Sequence, residues 1–275
     1  MNNVKKIVCK LKRFYTLKIE RLPYIHWFNP LQTLYVNLRC LPLKQALRFP
    51  IFVYGWMRLY SLYGSIECVD RCRMGMIKLN ITVADAPCFS GKNAELNLWG
   101  KIIFHGKMQL CSGSKIMVRE NGVLDLGDSV RIMHQCNITS FTSIVVGSNS
   151  RISHRSQIFD SNFHYIADFS KRIISRISKG VKIGNDCWIC NTVTLSAGSV
   201  IPDRSIVASN SLVNKDFSSE KSGILIGGIP AKLLCKNRFR VFNSVFEQQV
   251  VKFFSGDDTA QFFEIPARFT REDVL

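Results

Sequence analysis

The sequence predicts a mainly β protein built as a parallel β-helix, and three observations carry that expectation. The first is a period: Ile183, Ile189, Leu195, Ile201, Val207 and Val213 return every sixth residue through "IGNDCWICNTVTLSAGSVIPDRSIVASNSLV". The second is a companion series four places on, Cys187, Val193, Ser199, Ser205 and Ser211, none larger than valine. The third is recurrence upstream, where Leu126, Ile132 and Ile138, then Val146, Ile152 and Ile158, keep the same step.

A helix repeats near 3.6 residues and a half-buried strand at 2, so neither accounts for six. A hexapeptide repeat does, each unit giving one short strand and one corner of a solenoid. The aliphatic residue then points to the axis, where successive coils stack about 4.8 Å apart. The second inward slot must be small, and Cys136, Thr142, Ser150 and Ser156 supply it upstream. Asn185, Asp186, Gly198, Asp203, Arg204 and Asn210 suit the corners. Eight-residue steps from Val118 to Leu126 and from Ile138 to Val146 are slips that a solenoid tolerates, because each coil touches only its neighbours. A weaker pattern in residues 91–110 carries the coil back towards residue 65.

This divides the 275 residues into a basic, partly helical segment at 1–64, a β-helix at 65–234 with a loop at 159–180, and a C-terminal helix and tail at 235–275. In the last segment Phe242, Val245, Phe246, Val250 and Phe253 have the spacing of one helix face. That helix is expected to cover the end of the coil, as solenoids require.

Composition narrows the classes further. A hydrophobic content of 47% excludes disorder. The first 22 residues are broken by lysines and lack the apolar core of a signal peptide, and no apolar stretch approaches the ~20 residues of a membrane span. The ten cysteines are scattered, as in a reducing cytoplasm. "CWIC" at Cys187–Cys190 has the spacing of half a zinc site, but Cys187 fills a small inward slot and no second pair accompanies it, so no metal is expected.

The net charge of +17 is uneven: residues 1–50 hold ten Lys and Arg, among them Lys5, Lys6, Lys10, Lys12 and Arg13, against the single acid Glu20. No nucleic-acid module accompanies it and the aromatics cluster with aliphatics, so nucleic acid is not the expected partner. Two readings stay open, a solvated face and a surface that meets acidic lipid; residues 29–49 alternate apolar and basic.

One interval breaks the rhythm, "FDSNFHYIADFSKRIISRISKG" between Ile158 and Val181. Insertions in solenoids form loops, and loops on rigid scaffolds carry function. His164 lies in it, and imidazole suits general-base chemistry near neutral pH. His134 and His154 each follow a core aliphatic residue by two places, which predicts an outward position beside an acceptor groove.

"DSNFH" (160–164), "VKIGNDCWICNTVTLSAGSVIPDRSIVASNSLVNKD" (181–216) and "GGIPAKLL" (227–234) together resemble the hexapeptide-repeat acyltransferases, and within them the O-acetyltransferases of bacterial capsule, exopolysaccharide and lipopolysaccharide clusters. The resemblance implies a left-handed coil, a homotrimer in the cytoplasm, and acetyl-CoA as donor in a groove between subunits. The acceptor it implies is a sugar hydroxyl, free, nucleotide-linked or lipid-linked. It makes His164 the catalytic base, with Asp160 orienting the imidazole or binding the acceptor and Asn162 beside the acceptor. Trp188, Asn191, Ser209, Asn214 and Lys232 match the donor-binding positions. The chain departs from the family at Asn162, where a second acid is frequent, and at Cys190, where glycine is usual. Two alternatives share these motifs: an N-acetyltransferase of an amino-sugar nucleotide, and a non-catalytic scaffold.

Overall fold

The computed structural model describes residues 27–83, 91–256 and 258–274. Within it the six-residue rule becomes packing. The six aliphatic residues from Ile183 to Val213, and the six from Leu126 to Ile158, are each at most 1% exposed. Parallel pairing stacks them like on like: Ile152 between Ile132 and Ile189, Ile158 between Ile138 and Leu195, Ile183 between Val146 and Ile201. Each buried aliphatic side chain contributes roughly 1.5–3 kcal/mol relative to exposure.

The fold is the expected left-handed parallel β-helix. Its three faces are parallel sheets. The first carries Ile51–Val53, Ile77–Ile81, Met108–Cys111, Val130–Ile132, Arg151–Ile152, Trp188–Ile189, Ile206–Val207 and Ile224–Gly228. The second runs from Arg58–Leu62 to Leu212–Val213, and the third from Ser65–Cys68 to Val200–Ile201. Corners follow the predicted chemistry: Asp186, Gly198, Arg204 and Asn210 all take positive φ. The inward serines beside them join successive coils, since Ser150 Oγ donates to the Gly184 carbonyl and accepts from Cys187 N–H, and Ser156 does the same for Cys190 and Val193. Small polar residues are therefore preferred in those slots because they satisfy backbone groups that aliphatic ones would strand.

The coil begins at Ile51 rather than near residue 65: Ile51 and Val53 pair with Ile77 and Leu79, and Arg58–Leu62 pairs with Glu95–Leu98. The longer sequence intervals from Cys68 to Ile77 and from Ile81 to Glu95 interrupt the spacing there, which hides the first coil from a periodicity reading.

Helices α1 (Pro30–Cys40) and α2 (Leu43–Ala46) close this end. Asn29 caps α1 through Gln32 N–H, and Pro30 begins it. Val36 and Ala46 are fully buried. Three amide side chains then take the place of a preceding coil. Asn37 exchanges hydrogen bonds with both backbone groups of Ile51, Gln32 with Met57, and Gln45 with Cys68. An exposed strand edge invites pairing with another chain, and these amides occupy it.

The other end corrects an expectation. Helix α3 (Ser244–Gly256) does not cap the coil; only Phe246 of it is buried, against Phe263 and Phe269 of the tail. Capping falls to residues 214–223, where Phe217 is 5% exposed and its N–H bonds Val200, and to the hairpin Ile224–Gly228 with Ala231–Lys236. The apolar face of α3 was real but its partner is local, the aromatic tail that returns with α4 (Arg271–Val274).

Candidate active site

Loop 160–180 leaves the coil at the corner after the second face and returns at Val181 on the third. Its base is closed by a bridge between Ser161 and Ser178 and by hydrogen bonds from Asn162 N–H to Ile177 and Lys179 N–H to Asp160. Its tip is a small antiparallel pair, Ala167–Asp168 with Ile173–Ile174.

Asp160 belongs to the corner, not to the histidine. It is fully buried, and its carboxylate accepts from the N–H groups of Phe141, Thr142 and Ser143 at 2.7 Å each and from the Ser140 and Thr142 hydroxyls. With its oxygens committed to the preceding coil, it neither orients the imidazole nor meets an acceptor. The expected dyad is thereby corrected: a buried carboxylate must be satisfied where it lies, and here the backbone satisfies it.

Phe163 does the positioning instead. It holds φ at 63°, uncommon for an aromatic residue, and its ring packs on Phe159 at 5.6 Å and Phe141 at 5.3 Å. His164 N–H bonds the Asn162 carbonyl at 2.8 Å across this tight turn. His164 and Asn162 are exposed. Strained backbone of this kind concentrates at functional sites. Around the histidine the loop presents Tyr165, Ile166, Phe169 and Ile174, each more than 65% exposed.

The predicted donor residues cluster elsewhere. Trp188 points outward from the first face, half-buried, with Nε1–H donating to Ser153 Oγ at 3.1 Å. At the next corner Ser209 Oγ donates to Asn191 Oδ1 at 2.7 Å. Cys190 lies between them, 9% exposed, its thiol pushed up by burial and held back by Ser209 and Arg240. Cys187 is fully buried in its small inward slot, and burial pushes its thiol to about 12.

Asn214 and Lys232 do not join this cluster. Asn214 is exposed after the last strand of the second face, and Lys232 is exposed on the terminal hairpin, opposite Gly227. His134 is also corrected. It is fully buried at the corner between the first two faces; its Nε2 accepts from Val83 N–H at 3.4 Å, so Nδ1–H donates to Ser112 Oγ at 3.0 Å. Residues two apart on a strand share a face, so the offset from Ile132 gives no outward position, and the ring lies inside the corner. His154 follows at the same corner one coil on, half-buried, with its protonation disfavoured by burial and then by Arg155.

Sequence reasoning missed a strap over the first face. After the hairpin, residues 237–243 cross it, and Arg240 stacks 5.1 Å from the Trp188 ring and 4.9 Å from that of Phe242. The signal lay in the alternating "RFRVF", which serves as a cover rather than as the start of a helix.

No family model matches the chain. Over 186 residues, 64% of this chain and 90% of the relative, it is 26% identical to WbbJ of Escherichia coli K12, a protein named for lipopolysaccharide-biosynthesis O-acetyl transfer. It is also 26% identical over 164 residues, 60% of this chain and 68% of the other, to a 24.8 kDa protein of the cps region of Klebsiella pneumoniae. Among solved structures, a hexapeptide-repeat acetyltransferase of Vibrio cholerae complexed with acetyl coenzyme A is 26% identical, with a TM-score of 0.38 over 45% of this chain and 65% of its own. In sequence the chain is thus similar to proteins named as acetyltransferases.

Proposed function

We propose that the chain is an acetyl-CoA-dependent O-acetyltransferase that acylates a sugar hydroxyl of a bacterial surface polysaccharide or its precursor, as a trimer whose sites are shared between subunits. One observation carries this reading. His164 sits on an apolar, exposed loop rooted between the second and third faces, whereas Trp188, Asn191 and Ser209 lie on the first face and the corner after it. A whole face separates the two groups within one chain, and a neighbouring copy brings them together.

In that arrangement His164 accepts the proton of the acceptor hydroxyl as the oxygen attacks the thioester carbonyl. The C–S bond then breaks and the imidazolium returns the proton to the departing thiolate. The thioester is already activated, so no acyl-enzyme is needed. Trp188 offers an apolar wall to the pantetheine arm, and Asn191 and Ser209 offer polar atoms along it.

Among the described residues no helix is long and apolar enough to cross a membrane. Contact with an acidic lipid surface has separate support, since α1 exposes Leu31, Leu34, Tyr35 and Leu38 on its outer side beside Arg39. The basic residues Lys5 to Arg13 lie outside the described residues. The test of function is thiol release from acetyl-CoA with a panel of free, nucleotide-linked and lipid-linked sugars, some bearing amines, with products identified by mass spectrometry. Release only with hydroxyl acceptors is expected. Release only with amines, or none at all, defeats the reading, as does an active monomer in light scattering.

A further inference from the structure

Three arginines converge on the first face, and among the described residues no carboxylate pairs with any of them. Arg131 and Arg151 are register partners on adjacent coils, and Arg151 is in turn the partner of Trp188, so two guanidinium groups and an indole share one outward column. Arg240 joins them from the strap. The Arg151 and Arg240 guanidinium groups lie 5.8 and 4.9 Å from the centre of the same Phe242 ring. Among the described residues none of the three forms an ion pair. Asp186 and Glu247 act on Arg151 and Arg240 only from farther away. Arg151 bonds one backbone carbonyl, that of Ser129 at 2.6 Å.

Like charges gathered on a half-buried surface repel one another. Arg151 shows the effect: burial, then Arg131 and Arg240, bring its pKa down to about 10. Cation–π stacking on Phe242 and Trp188 offsets part of this but neutralises no charge. An oxyanion would neutralise it, and the planar fork of arginine matches phosphate and carboxylate geometry.

We infer that Arg131, Arg151 and Arg240 form a binding site for one oxyanion, a phosphate or carboxylate group carried by a substrate. Its position suggests which substrate. Asn191, Ser209 and the terminal hairpin with Lys232 all lie on the C-terminal side of Trp188 along the coil, whereas Arg131 and Arg151 lie on the other side. A donor laid from Trp188 towards Lys232 leaves the arginines to the acceptor, which is then an acidic sugar or a sugar joined through phosphate. This last step rests on the proposed acyl-transfer reading; the oxyanion site itself does not.

Calorimetry on the full chain tests it, with pyrophosphate, 3′,5′-ADP as the charged end of the donor, an acidic oligosaccharide and its neutral counterpart. Arg131→Gln and Arg151→Gln are expected to weaken pyrophosphate and the acidic sugar by at least about tenfold, the worth of one charge-assisted contact, and to leave the neutral sugar unchanged. Loss of 3′,5′-ADP binding instead supports the site and transfers it to the donor. Arg131 touches no ring in the strap, so its variant separates lost binding from a loosened strap, and Arg131→Lys is expected to retain part of the affinity. Equal binding in wild type and both variants overturns the inference, as does a wild type that prefers no oxyanion over a neutral analogue. Binding is read without turnover, so absent thiol release would remove the acyl-transfer reading and leave the site standing.

Discussion

Asp160 and His164 stand four places apart in one short motif, yet they obey different rules. Asp160 opens the loop but stays inside the coil: fully buried, five hydrogen bonds deep in the preceding corner, its partners fixed by stacking. His164 is exposed on a loop whose conformation is set by Phe163 and by the zipped base at Ser161 and Ser178. The coil constrains by repetition, so each residue there has a neighbour above and below to satisfy. The loop is free of that demand and can present a side chain to something outside the chain. A motif that reads as one catalytic unit is therefore a structural half and, on the proposed function, a chemical half.

The largest effect expected from that division is on turnover. His164→Ala should lower it by roughly 10²–10⁴-fold, the usual worth of general-base catalysis, with donor affinity and melting temperature nearly unchanged. Trp188→Ala should show the opposite split and raise the donor KM more than it lowers kcat. Near-normal turnover in His164→Ala on the true acceptor would move the base elsewhere, and half-buried His154 is the next histidine to test, since His134 is sealed in the corner.

Asp160→Asn should break the other half. Three backbone N–H groups converge on its oxygens at 2.7 Å, and an amide nitrogen placed among them would face donors with a donor. The cost is on the order of 3 kcal/mol, and a domain of this size should melt roughly 6–12 °C lower. If Asp160 oriented the imidazole instead, the variant would keep its melting temperature and lose kcat, and calorimetry beside steady-state kinetics separates the two outcomes.

What the sequence makes legible follows the same division. The period of six identifies the inward residue at every repeat from Leu126 to Val213, because an axis with fixed coil spacing leaves one solution. It is silent on the first coil, where the longer sequence intervals from Cys68 to Ile77 and from Ile81 to Glu95 break the count. The amides Gln32, Asn37 and Gln45 look like ordinary polar helix residues until the open strand edge they cover is known. His134 lies inside rather than outside because an offset of two from Ile132 does not turn a side chain outward. The residues expected to bind the donor come together where they are coil neighbours, Trp188, Asn191 and Ser209; Asn214 and Lys232 lie beyond the regular stack and are not placed by it.

Cys190 provides the smallest and sharpest test of the coil side. Its thiol is raised above the ordinary cysteine value, chiefly by burial, so at pH 8 a smaller fraction is thiolate than for a free cysteine. Only the thiolate attacks an alkylating agent. Labelling of Cys190 should therefore be slower than that of the more exposed Cys235, and should accelerate as pH rises further, which peptide mapping by mass spectrometry can follow. The side chain also lies beside Ser209 and within the field of Arg240, on the column where Trp188 meets the strap. A donor bound along that column would cover it, so acetyl-CoA should slow the labelling of Cys190 several-fold without protecting Cys235. Equal rates with and without donor would place the pantetheine arm away from this corner, while leaving the proposed base on the loop untouched.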